Sequence, residues 1–90
     1  MTYIETRTTA AEVLADIANE VRHMAGRVEN DAATHRGHPT YITKTVAREH
    51  LYRMYGAYEL AERVCGVLLE GLNERRAEAT AVFITEWGKP

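Results

Sequence analysis

Ninety residues suit one small domain, and 46% apolar with 27% charged residues argue against disorder. The net charge of −2 and a pI near 6.1 fall far below the basic values usual for nucleic-acid-binding domains. One cysteine, Cys65, excludes an intramolecular disulfide and fits a reducing, cytoplasmic setting; the chain shows neither a signal-peptide apolar run nor a membrane span.

Thr2 to Thr8 alternate and are rich in Thr, Tyr and Ile, as in a short strand or an extended arm. Thr9-Ala10-Ala11-Glu12 fits a capping box, which opens a helix expected over about 9–33, roughly 37 Å long. Ala10, Leu14, Ile17, Val21, Met24 and Val28 alternate spacings of four and three residues, the pattern of a heptad seam that packs into a partner helix. Beside the seam Ala11, Ala18 and Ala25 recur every seven residues, a column small enough to let an antiparallel helix come close.

Gly37 and Pro39 mark a loop expected over about 34–43, and Pro39 biases His38 away from helix. Thr43 or Thr45 is then the expected cap of helix two, over about 44–75. Its seam reads Ala47, Leu51, Met54, Tyr58, Ala61, Cys65, Leu68 and Leu72, and its outward column reads Glu49, Gly56, Arg63 and Glu70. Glu49–Arg53 and Glu59–Arg63 are well-oriented i,i+4 pairs. Gly56, Gly66 and Gly71 each weaken the helix by ~1 kcal/mol relative to Ala and mark close contacts, a kink, or an end near Gly71.

Leu60, Val64, Val67 and Leu69 fall outside the second seam, where one partner helix cannot cover them all. They are the residues expected to mediate self-association. The tail, about 77–87, reads as a strand that pairs with Thr2 to Thr8 or as a helix with Phe83 and Trp87 on one face. The heptad entering Arg75 to Ala79 without a strong breaker favours the helix. The expected fold is therefore all-α: one domain over 1–90, an antiparallel hairpin of two long helices with a short C-terminal helix or strand. Two copies are expected to associate as a homodimeric four-helix bundle.

Chemistry-bearing patterns are sparse. His35-x-x-His38 with His50 offers fewer ligands than the four of a structural zinc site, and neither metal nor cofactor is expected. Glu59-x-x-Glu62 resembles the carboxylate clusters with which helical pyrophosphohydrolases of the MazG type hold magnesium beside a nucleotide. Those enzymes need further acidic motifs on a facing helix, and Glu12, Asp16 and Glu20 lack the paired-glutamate pattern. Arg53 to Ala61 resembles the turn of a helix-turn-helix, but the seam passes straight through Gly56. The chain is also similar to the small helical hairpins of the WXG family. Here the departure is at the defining motif, because Trp87-Gly88 is adjacent and C-terminal.

Charge is uneven. From Thr34 to Arg53 the positives Arg36, Lys44, Arg48 and Arg53 face one acid, Glu49, a local net of +3, and Tyr41, Tyr52 and Tyr55 are interleaved. Arginines among aromatics suit phosphate contact and base stacking, or an acidic protein surface. The expected binding residues are thus Arg36, Lys44, Arg48, Tyr52 and Arg53 at the hairpin tip, with Phe83 and Trp87 as aromatic anchors; no catalytic residue is expected. Nine Arg against two Lys is a compositional hint of a GC-rich genome, an actinobacterium or one of its phages. The function expected is a non-enzymatic protein–protein interaction module, of the kind a phage or bacterial accessory protein uses to modulate a host protein. The alternatives are a nucleic-acid-binding regulator and a MazG-like pyrophosphohydrolase.

Overall fold

The structure is a computed structural model that describes residues 10–64 and 70–90. The Thr2–Thr8 arm, Thr9 of the capping box, Cys65, Gly66, Val67, Leu68 and Leu69 lie outside the described residues, as do the side chains of Ala10, Ala11, Val64 and Glu70. Three helices follow one another: α1 (Ala10–Gly37), α2 (Tyr41–Val64) and α3 (Glu70–Trp87). Among the described residues there is no strand.

The seams bury as their spacing dictates. Val21, Met24 and Val28 of α1 join Ala47, Leu51, Met54, Tyr58 and Ala61 of α2 in one apolar cluster, with Leu14 and Ile17 packed at its margin. Long-range polar contacts fix the direction of the pair. His50 Nδ1 donates to Asp31 Oδ2 at 2.7 Å, and Arg53 Nη2 lies 3.8 Å from Glu20 Oε2, so α2 runs antiparallel to α1.

The hairpin connection is shorter than the spacing suggests. α1 continues four residues beyond the expected 33, and the His38 N–H donates to the Thr34 carbonyl at 2.9 Å. Thr40, rather than Thr43 or Thr45, caps α2: its Oγ1 accepts from the Thr43 N–H at 3.2 Å. Thr45 already sits inside the helix, where its hydroxyl donates to the Tyr41 carbonyl at 3.1 Å. Pro39 blocks helix only up to His38, and the hydroxyl that follows it is the first able to cap.

Helix two does not run on to 75. α2 ends at Val64, and the tail is a helix that begins at Glu70. Tyr55 meets Thr80 and Tyr58 meets Arg76, whereas Glu29 meets Arg75 and Arg36 meets Glu86. α3 is therefore antiparallel to α2 and parallel to α1. Leu72 is buried, as its heptad position demands, but from the first turn of α3, where it lies near Ala18 of α1. A heptad count is blind to such a break, because apolar spacing continues across it. Gly66 and Gly71, which weaken helix most in this stretch, were its local signal.

The alanine column of α1 now has its purpose. Ala18 and Ala25 are buried, the buried Ala32 extends the column by one heptad, and Ala18 lies beside Leu72 of α3. The helix they admit is parallel, not antiparallel. α3 contributes Leu72, Ala79 and a fully buried Phe83 to the core. It stops at Gly88, whose φ of +83° is cheap only for glycine and whose N–H donates to the Ile84 carbonyl at 2.8 Å.

Candidate functional site: the hairpin tip and the α2–α3 trough

Because α3 is parallel to α1, its C-terminus reaches the hairpin tip and brings acid with it. His35 Nδ1 donates to Glu86 Oε2 at 2.8 Å and Arg36 Nη1 to Glu86 Oε1 at 3.3 Å. The His35 hydrogen bond, then that of Arg36, holds the Glu86 carboxyl below the usual carboxylate range. Asp31 takes His50, and Glu20 approaches Arg53 on the α1 side of α2. Two of the four tip cations, Arg36 and Arg53, are thus met by acids that the linear sequence places elsewhere.

The expected binding residues separate accordingly. Arg36 and Arg53 are exposed but paired. Lys44 and Arg48 have no ion-pair partner among the described residues. Arg48 is half-buried, and its Nε is enclosed without an acceptor. Tyr52 is 50% exposed and tilts against Tyr55 with ring centroids 6.1 Å apart. Phe83 has no exposed surface and is a core residue, not a surface anchor: it is the largest of the fully buried side chains. Trp87 lies over the end of the core, 4.9 Å from the Phe83 ring and 5.0 Å from that of His35, with its Nε1 also enclosed and without an acceptor. Of the residues expected to self-associate, Leu60 is 47% exposed; Val67 and Leu69, and the side chain of Val64, lie outside the described residues.

A second feature was not anticipated. α2 and α3 each pack mainly on α1 and leave an open trough of about 630 Å³ between them. Its walls are Tyr55 and Glu59 from α2 and Arg76, Ala77, Thr80, Ala81 and Ile84 from α3. Across its base the Tyr55 and Thr80 hydroxyls share a hydrogen bond at 3.0 Å. Arg76 stacks 4.3 Å over the Tyr58 ring and donates to Asn73 Oδ1 at 2.7 Å. Ile84 is 47% exposed at the rim. The trough exists only because α3 folds back beside α2, so a continuous second helix hid it.

The remaining motifs find no shared centre. His35 and His50 face different carboxylates, His38 is exposed, and among the described residues no group of three or more His, Cys, Asp or Glu is close enough to hold a metal ion. Glu59 and Glu62 are both exposed on α2. Helix α2 is continuous through Gly56, where an added Cβ would meet nothing within 4 Å, so this stretch is not a helix-turn-helix turn. Trp87-Gly88 ends a helix and is not a hairpin loop. No helix is long and apolar enough to cross a membrane among the described residues. Comparison with protein-family models, with curated proteins and with solved structures found no match for the chain.

Proposed function

We propose that this protein is a small non-enzymatic protein–protein interaction module, and that it receives a helix of its partner in the α2–α3 trough. One observation carries the reading: Tyr55, Ala77, Ala81 and Ile84 line an open trough between α2 and α3, with Ile84 exposed at its rim. Small wall residues let a helix approach, and the aromatic and aliphatic ones supply the anchors typical of such grooves. The Arg-rich composition supports the setting of a bacterial or phage accessory protein that modulates a host protein. The nucleic-acid reading loses support where Arg36 and Arg53 already have acidic partners.

A photo-crosslinking residue at Ile84 should yield one dominant protein adduct in the native host, whereas the same residue at Arg27, on the outer face of α1, should not. Equal adducts from both positions would discard the trough as the binding face.

Self-association is the second reading, favoured by the exposure of Leu60. A second copy would extend the three helices towards a larger bundle. Light scattering should then report a mass above the 10.2 kDa of one chain.

A further inference from the structure

The trough takes a helix, and the outer face of α2 selects which helix fits. Resting on the trough reading, we infer that the occupant is α2 of a second copy, laid antiparallel on α2 about a two-fold axis that passes between Tyr52 and Tyr55.

Two heptad stripes run along α2. One is the core seam from Ala47 to Ala61. The other is Tyr41, Thr45, Arg48, Tyr52, Tyr55 and Glu59, with spacings of four and three, about a third of a turn round the helix from the seam. That spacing packs into a second helix, yet no described helix covers it. Tyr41 is 82% exposed, Thr45, Tyr52 and Glu59 are exposed, and Arg48 and Tyr55 are half-buried. Tyr55 and Glu59 also line the trough, so a helix seated on this stripe has Ala77, Ala81 and Ile84 of α3 as its second wall.

Charge selects the occupant. The half of α2 nearer the hairpin connection carries Lys44 and Arg48, and the other half carries Glu59 and Glu62. None of the four has an ion-pair partner among the described residues. Arg53 is held by Glu20, Glu49 and Arg63 flank the stripe, and Arg76 beside Glu59 is committed to the Tyr58 ring and Asn73. A face with cations at one end, anions at the other and aromatic rings between is complementary to itself turned end for end. That is the condition of an isologous dimer. The antiparallel register that sets Tyr52 of each copy on Tyr55 of the other also sets Arg48 of each copy opposite Glu59 of the other. A parallel pairing would set Arg48 on Arg48 and Glu59 on Glu59. In the antiparallel arrangement the incoming α2 runs parallel to α3, and α2 and α3 of the two copies complete a four-helix layer.

The test is a charge swap on the full chain, read as mass by light scattering at ~100 μM, well above the Kd of a stable interface. The unaltered chain should approach twice the 10.2 kDa of one copy. Arg48→Glu alone and Glu59→Arg alone each bring like charges together twice, once on each side of the axis. Each should weaken association at least about tenfold with far-UV helicity retained. Mixed in equal amounts, the two variants should regain the dimer, because each then meets its complement. Tyr52→Glu, at an exposed position, should break the dimer even if Arg48→Glu disturbs the fold. Leu60→Glu, more than a quarter turn away on α2, should leave the dimer intact. A monomer at ~100 μM, or a mixture that regains nothing, overturns the second copy and leaves the trough reading to the crosslink at Ile84. A dimer broken by Leu60→Glu but not by Tyr52→Glu places the contact on another face and also overturns the inference. A dimer that follows the charge swap but is indifferent to Ile84→Glu overturns the trough reading itself.

Discussion

The α1–α2 hairpin and the third helix are held by different means. The hairpin is closed along its length by apolar side chains, with Val21, Val28, Leu51 and Met54 all fully buried. Helix α3 rests on alanines, on Leu72, Phe83 and Trp87, and on polar clamps near its two ends. At one end Arg75 grips Glu29 with two hydrogen bonds, 2.5 and 2.7 Å; at the other Glu86 takes His35 and Arg36. A helix that spends so little apolar surface on its neighbours leaves some unspent, and that surplus lines the trough. Strong burial makes the scaffold, and the thinner attachment makes the surface that a partner can use.

The sharpest way to break this contrast is to remove the largest fully buried side chain of α3. Phe83→Ala should cost about 3–5 kcal/mol in urea unfolding, as truncation of a buried aromatic does. Because Trp87 packs on Phe83, its fluorescence should shift to the red before far-UV helicity falls. A loss below about 1 kcal/mol would mean that α3 is not anchored there.

The clamps give a smaller, pH-dependent effect. The hydrogen bonds from Arg75 hold the Glu29 carboxyl below its ordinary 4.5, and Glu86 is shifted in the same direction by His35 and Arg36. A carboxyl depressed on folding stabilises fully above its ordinary value, and that contribution is lost as pH falls through the depressed one. Stability should therefore be flat on this account near neutrality and decline below about pH 4.5. Glu29→Gln should cost about 1 kcal/mol at neutral pH and flatten part of the acid decline; an unchanged acid limb would remove Glu29 from the clamp.

The smallest effect is expected at a glycine that faces open space. Gly56→Ala should stabilise the protein by about 0.5–1 kcal/mol, since α2 is regular there and the added methyl meets open space. Destabilisation in thermal melts would reveal a contact on that face.

The hairpin was legible because heptad spacing is a direct record of which side of a helix is dry. Ala47, Leu51, Met54, Tyr58 and Ala61 were all readable from it. Helix α3 was only half legible: its helical state followed from the absence of a breaker, but its direction depends on where α2 ends, which periodicity does not encode. Of the expected tip residues, Arg36 and Lys44 lie beside the α1–α2 connection, whereas Arg53 lies midway along α2 opposite Glu20. Their charge state as a group was not readable, because Glu86, Asp31 and Glu20 arrive from other helices. Phe83 was misplaced as a surface anchor because an aromatic near a chain end looks the same whether it caps a core or meets a partner.

The central claim is that α3 folds back beside α2, which alone creates the trough. A nitroxide on Ala33→Cys, near the tip end of α1, in a Cys65→Ser background, tests it through paramagnetic broadening of α3 amides. The account predicts strong broadening at Thr85, Glu86 and Trp87 and little at Leu72 to Glu74, since α3 is roughly 27 Å long and parallel to α1. The reverse pattern, or no broadening anywhere in α3, would contradict it and remove the trough together with the function assigned to it.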